Sequence, residues 1–334
     1  MSRSVLARAP TRIDFGGGWT DVPPYPETDG GFVCNLAIAR HASVRVRAAE
    51  DSEALTSGVA PESRPLVAAA IRRAGLRGVD VELRSDFPIG AGLGGSSAAG
   101  VALQGAIAAW RNELADLRDA GALAERSRDV EVLDLGVAGG RQDHYAAAFG
   151  GALGLSFTRR VEVRRIKLDA RVRAELEERL VLIYTGQSRI SGETVTSVIE
   201  AYRARDRRVV SALARMKALA EHMSDALAAG DLSHLGALVG EHWRYQRALH
   251  PAITTERIEA IMERGRASGA LGGKALGASG GGCVVLVAPV GEASRVRAAV
   301  APLGEILEFT VDERGLAVED RRDAVPAGDD AWVP

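Results

Sequence analysis

The chain has 334 residues, 46% hydrophobic and 26% charged, a length that suits two domains and a composition that excludes a disordered or fibrous protein. Its 42 Lys and Arg against 44 Asp and Glu leave a net charge of -2, which provides no general attraction to nucleic acid or to an anionic membrane and favours a small-molecule partner. No apolar h-region opens the sequence and no apolar run nears the ~20 residues needed to cross a bilayer, so a cytoplasmic protein is expected.

In chain order, apolar or alternating stretches predict short strands at 4–9, 32–38, 43–47 and 79–84. An alanine-rich stretch without internal proline predicts a helix over 96–110, starting directly at a run of glycines. Residues 153–157 and 161–166 read as a hairpin and 180–184 as a further strand. Helices are expected within 193–204, 209–229, 232–249 and 256–267, with Gly230 and Pro251 as punctuation. Strands return at 270–276, 283–288 and 305–310, with a helix at 292–300, so both halves read as α+β. Residues 323–334 are polar and proline-containing and are expected to form a loosely held tail. Cys34 and Cys283 stand far apart in unlike contexts, which suits reduced, buried thiols, and no Cys or His pairs have zinc-site spacing.

Four segments carry chemistry. In the first, Pro88 to Ala99, a strand leads through Gly90, Ala91, Gly92, Leu93, Gly94 and Gly95 into Ser96, Ser97 and a helix, so backbone N–H groups and a positive helix end converge on one spot. Glycines admit a phosphate close to the backbone, and the serine hydroxyls can reach phosphate oxygens or a metal ion. A Walker A loop would place Lys where Gly95 stands, so that reading fails. Gly90, Gly92 and Gly95 also spell a dinucleotide signature, but residues 111–128 are charged and helical where a Rossmann unit needs a second strand ending in an acid.

The second segment, Pro10 to Pro24, reads as a glycine-rich loop placing Arg12, Asp14 and Asp21 against the hydroxyls of a sugar, since carboxylates accept paired O–H bonds. In the third, Gly139 to Tyr145, Asp143 can accept or align a hydroxyl proton, although it would equally serve as the N-cap of a short helix; His144 reads as a packing or hydrogen-bonding residue. The fourth, Lys274 to Cys283, is a strand, a glycine run and another strand, able to lie against a ligand.

Together, and in this order, the segments resemble the GHMP small-molecule kinases. The carrier of the resemblance is Pro88-Ile-Gly-Ala-Gly-Leu-Gly-Gly-Ser96-Ser97-Ala98, and the other three segments look most like the D-glycero-D-manno-heptose 7-phosphate kinases, with fucose kinase domains close by. The resemblance implies an α+β fold of two domains, with a ribosomal protein S5 domain 2-like N-terminal domain at 1–178, a ferredoxin-like C-terminal domain at 179–322, and the active site between them. It implies ATP and Mg2+ as cofactors, with Pro88, Gly90, Ala91, Gly92, Leu93, Gly94, Gly95, Ser96 and Ser97 around the nucleotide phosphates. Asp143 would be the catalytic aspartate and Arg12 a stabiliser of the transferred phosphoryl group. Ser97 and an upstream acid would hold the metal; Glu131 is chosen, with Asp134 and Glu125 as alternatives. Asp14, Gly17, Asp21 and Gly277 would face the substrate, and a phosphate already on the sugar would need a cation from among Arg141, Arg189 and Lys274. The expected activity is phosphorylation of the anomeric hydroxyl of the heptose 7-phosphate, with a kinase of an unphosphorylated fucose- or mannose-like sugar, or a silent sugar-binding regulator, as alternatives. A sugar or sugar phosphate is the expected partner, with neither nucleic acid nor membrane, and a homodimer is compatible with the sequence.

Overall fold

The computed structural model describes residues 3–49, 55–113, 115–187 and 192–321. Seven strands form one sheet: β1 (Ser4–Gly16), β2 (Gly31–Ala48), β3 (Leu55–Gly58), β4 (Val79–Ser85), β5 (Ala152–Phe157), β6 (Val161–Ile166) and β11 (Ala317–Arg321). Four form a second: β7 (Leu180–Tyr184), β8 (Gly272–Ala275), β9 (Cys283–Val287) and β10 (Glu305–Ile306). The first runs in the order β11-β1-β2-β4-β3, with β5 against β2 and β6 beyond it; the second is β10-β7-β9-β8.

The strand β1 does not end at residue 9 as the sequence suggests. Pro10, which cannot donate to the ladder, sits at a register irregularity between Pro10 and Thr11, and pairing with β2 resumes beyond it. Arg12 and Asp14 therefore stand on a strand rather than on a loop. The two expected strands at 32–38 and 43–47 are likewise one long strand, β2. Residues 305–310 were expected to form one strand, but only Glu305 and Ile306 pair in the second sheet. The chain then crosses to the first sheet, where Thr310 accepts a bond from the Ala39 N–H.

One core lies between the first sheet and the helices Arg64–Ala74 and Gly95–Trp110, built from residues such as Val44, Val46, Val67 and Val101. A second core joins both sheets: Ile13 and Phe15 of β1 pack with Leu182 of β7, Val285 of β9, Leu219 and Leu235. Side chains alternate across a strand, so the face that buries Ile13 and Phe15 leaves Arg12 and Asp14 on the other. The last strand, placed with the second domain by the sequence reading, pairs antiparallel with β1 from Ser4↔Arg321 to Arg8↔Ala317. Cys34 and Cys283 are free and buried, as expected. Among the described residues no helix is long and apolar enough to cross a membrane.

Candidate active site

The loop after β4 enters the helix Gly95–Trp110 through Gly94, at φ 75° and without a side-chain cap. The first N–H groups of that helix therefore have no acceptor of their own and remain available to an anion. The loop is pinned from two directions. Arg12 N–H donates to Leu93 O at 3.0 Å, and Cys283 N–H, from the second sheet, donates to Ala91 O at 2.7 Å. A Cβ on Gly92 would lie 2.7 Å from Leu276 O, so the phosphate loop and the loop carrying Gly277 meet backbone to backbone, where only glycine fits.

Beside the helix start, Glu131 sits on a short π-helical turn, Val130–Asp134. Its carboxylate accepts from Ser96 Oγ and, at 3.3 Å, from Ser97 Oγ. His144 Nε2 stands 2.9 Å from the same carboxylate, and His144 Nδ1 is 2.9 Å from Ser127 Oγ. Burial alone would raise the Glu131 carboxyl, but His144 and the two serine hydroxyls hold it below the ordinary glutamate value. The alternatives are occupied elsewhere: Asp134 pairs with Arg73 at 3.0 Å, and Glu125 accepts from Tyr145 Oη at 2.9 Å. Two hydroxyls and an ionised carboxylate are hard oxygen donors of the kind Mg2+ takes alongside nucleotide phosphates. No group of three or more His, Cys, Asp or Glu side chains able to hold a metal occurs among the described residues.

Asp143 is the second residue of the helix Gln142–Phe149, whose N-cap is Arg141, so it does not cap that helix. Arg12, only 3% exposed, donates from Nε at 2.8 Å and from Nη2 at 2.7 Å to one oxygen, Asp143 Oδ1, while its Nη1 donates to Gly92 O at 2.7 Å. One side chain thus ties the aspartate to the phosphate loop. A Cβ on Gly94 would come within 3.1 Å of Asp143 Oδ2, so that oxygen faces the start of the phosphate helix.

On the other side of Arg12, Asp14 and Lys274 form a fully enclosed ion pair. Lys274 Nζ donates at 2.8 Å to Asp14 Oδ2 and at 2.8 Å to the Asp14 carbonyl. Asp14 Oδ1 is buried without a partner. Burial pushes the Asp14 carboxyl up, but Lys274 and Arg12 outweigh it and leave it below the ordinary value; Lys274 is itself lowered by burial, partly offset by Asp14. Gly17, at φ 88°, donates its N–H at 2.9 Å to Nε2 of His242, which burial holds neutral by lowering its pKa to about 3. Asp21 Oδ2 accepts two backbone N–H bonds, from Arg141 at 2.8 Å and Gln142 at 3.0 Å. Burial raises the Asp21 carboxyl to about 6, with Asp143 and Asp14 adding to the rise against those two bonds. A carboxyl with a raised folded pKa lends stability below about pH 4 that is lost as the pH climbs through 6. Asp21→Asn is accordingly expected to raise the melting temperature more at about pH 7.5 than at about pH 4, as followed by thermal denaturation.

Residues 64–151 match the GHMP kinases N terminal domain and residues 223–304 the GHMP kinases C terminal domain, together just over half of the chain. A mevalonate kinase of Pyrococcus horikoshii is 30% identical over 249 residues, covering 73% of this chain and 69% of that protein. The chain belongs to the GHMP kinase family. It is an ATP-dependent kinase of that family, with the mixed helix-and-sheet fold the resemblance implied. The D-glycero-alpha-D-manno-heptose 7-phosphate kinase of Campylobacter jejuni is 26% identical over 342 residues, 94% of this chain and 98% of that protein. In fold, the chain matches the crystal structure of a D-glycero-D-manno-heptose 1-phosphate kinase from Bacteroides thetaiotaomicron with a TM-score of 0.73, at 23% identity over 94% of this chain and 98% of that one.

In this GHMP kinase Arg12, Asp143, Ser97, Glu131 and the glycines of both loops come together. Of the three expected substrate cations, the two that are described do not stand free beside them. Lys274 is 0% exposed and committed to Asp14, Arg141 Nε lies 3.3 Å from Glu125, and Arg189 lies outside the described residues. Ser279 Oγ accepts from Gln246 Nε2 at 3.1 Å and lies 3.5 Å from Gly277 O. Sequence reasoning missed Gln142, whose Oε1 is buried without a partner, and His242, whose partner Gly17 is 225 residues away. No local pattern marks either one.

Proposed function

We propose that this ATP-dependent sugar kinase phosphorylates the anomeric hydroxyl of D-glycero-D-manno-heptose 7-phosphate, giving the 1,7-bisphosphate and ADP. The observation that carries the reading is the Arg12–Asp143 pair, locked to the phosphate loop through Gly92 O and flanked by the unpartnered Asp14 Oδ1. Asp143 aligns the attacking hydroxyl or accepts its proton, and Arg12 offsets charge on the phosphoryl group in flight. Asp14 Oδ1 offers a sugar hydroxyl a buried acceptor with no competitor. The heptose 7-phosphate itself is suggested by the full-length likeness to the Campylobacter jejuni enzyme.

Ser97 and Glu131, with Ser96 beside them, would hold Mg2+, which shields the phosphate charges when bound. Glu131→Gln is expected to raise the Mg2+ concentration for half-maximal activity by about 10- to 100-fold, the worth of one charged contact, as read from a magnesium titration of initial rates.

A second reading, a kinase of an unphosphorylated sugar, is favoured by the enclosure of Lys274 against Asp14 and by the contact of Arg141 Nε with Glu125, which draw both cations toward carboxylates of the protein. An ADP-release screen with ATP and magnesium decides between the two. Turnover on the heptose 7-phosphate far above that on heptose, fucose or mannose supports the first; the reverse order establishes the second, and no turnover on any of them removes both.

A further inference from the structure

The helix that presents Asp143 begins without a side-chain cap of its own. Its N-cap residue, Arg141, makes no side-chain bond to the first turn. The N–H groups of Arg141 and Gln142 are instead both taken by Asp21 Oδ2, from a loop 120 and 121 residues earlier in sequence. That loop is itself fixed. Thr20 donates its hydroxyl to Gly17 O at 2.7 Å and accepts the Phe32 N–H at 3.1 Å, anchoring the turn to the start of β2. Asp21 is 2% exposed, and a Cβ on Gly140 would fall 1.9 Å from its Oδ2, so the segment before the helix lies directly on the carboxylate.

We propose that Asp21 is a positioning residue: from the substrate loop it caps the helix Gln142–Phe149 and so fixes Asp143 against Arg12, rather than serving chiefly as a ligand of the sugar. The proposal rests on the catalytic reading of Asp143 given above. Asp143 directly follows Gln142, and Arg12 holds its Oδ1 from the β1 side. Its place is set from two directions, by Arg12 on the side chain and by Asp21 on the backbone. A helix whose first turn loses its acceptor frays there first, carrying Asp143 out of line with the phosphate loop.

Steady-state kinetics of the full chain, with ATP and the sugar on which it releases ADP, tests this. Asp21→Ala is expected to lower kcat by about 100-fold, the scale of misplacing a reacting group by about 1 Å, while the KM for sugar changes by less than about threefold. Asp21→Asn, whose amide oxygen can accept the same two N–H bonds, is expected to recover about tenfold or more of that loss. On an Asp143→Asn background, Asp21→Ala should cost less than about threefold, because a group already removed cannot be misplaced. A KM for sugar raised by about tenfold or more with kcat retained would make Asp21 a sugar ligand and overturn the proposal, and so would full additivity of the two substitutions. If Asp21→Ala does not fold, Gly140→Ala carries the test: its methyl displaces the carboxylate, a fall in kcat at near-constant KM is expected, and an undiminished kcat overturns the role. Undiminished turnover in Asp143→Asn alone removes the underlying reading, whereas loss there beside full kcat in Asp21→Ala removes only the positioning role.

Discussion

Replacing Asp143 by asparagine is expected to lower kcat by about 10²- to 10⁴-fold, the usual worth of a positioned proton acceptor, while the dissociation constant for ATP stays within about threefold. The asparagine keeps an oxygen for the Arg12 guanidinium, so the bond network that ties β1 to Gly92 survives in outline. What disappears is the negative charge opposite Arg12 and the second oxygen, Oδ2, which lies against Gly94 at the start of the phosphate helix. Single-turnover measurement of ADP formation beside calorimetric ATP binding separates the two effects. A turnover number equal to that of the parent protein would show that the hydroxyl needs no carboxylate and would remove Asp143 from the chemistry.

Lys274→Met is expected to cost about 3–5 kcal/mol of folding stability, because it leaves the Asp14 carboxylate buried with its main counter-charge gone. Lys274 is 0% and Asp14 3% exposed, so water cannot replace the lost ammonium without opening the contact between the two sheets. The methionine fills the same channel with a stem of similar length, which confines the loss to charge and hydrogen bonding. The companion variant Asp14→Asn/Lys274→Met should regain a large part of the stability, since an amide carries no uncompensated charge. Denaturant midpoints at constant slope read both numbers. A single variant as stable as the parent would mean that Asp14 is neutral or hydrated in the folded protein, against the lowered pKa that its surroundings impose.

The features legible in the sequence were those written in local chemistry. The helix Gly95–Trp110 begins within one residue of its expected start because the glycines, the serines and the alanine run all mark the same boundary. The strand Leu180–Tyr184 and the helix Glu256–Ala267 have the expected bounds, one as a short apolar run and the other as a capped, periodic stretch. The glycine-dense stretch from residue 10 read as loop because a bulge at Pro10 looks in sequence like the end of a strand. The glycine loop before the helix Gly95–Trp110 read as an anion site from local chemistry, whereas the roles expected of Ser97, Glu131, Asp143 and Arg12 came from the family resemblance.

Partnerships across long sequence distances were not legible. Lys274 and Arg141 read as cations awaiting a phosphate, because nothing local shows that Asp14 stands 260 residues away or that Glu125 packs beside Arg141. The two backbone N–H groups that Asp21 accepts lie 120 and 121 residues downstream, equally out of sight in the sequence. A single sequence displays the charge of a side chain, but the group that neutralises it becomes visible only when the sheets bring distant segments together.

The pairing of β11 with β1 bears on the order in which the protein is made. Ser4 and Arg321 are register partners, so one flank of β1 stays uncovered until almost every residue between them has left the ribosome. During synthesis that flank is an open row of donors and acceptors, available to a neighbouring nascent chain as readily as to its own distant partner. A shortened chain ending before Ala317 would carry the exposed flank permanently. Its tendency to associate through β1, measured as loss of soluble protein at matched expression, should exceed that of the full chain even where the kinase site itself has formed.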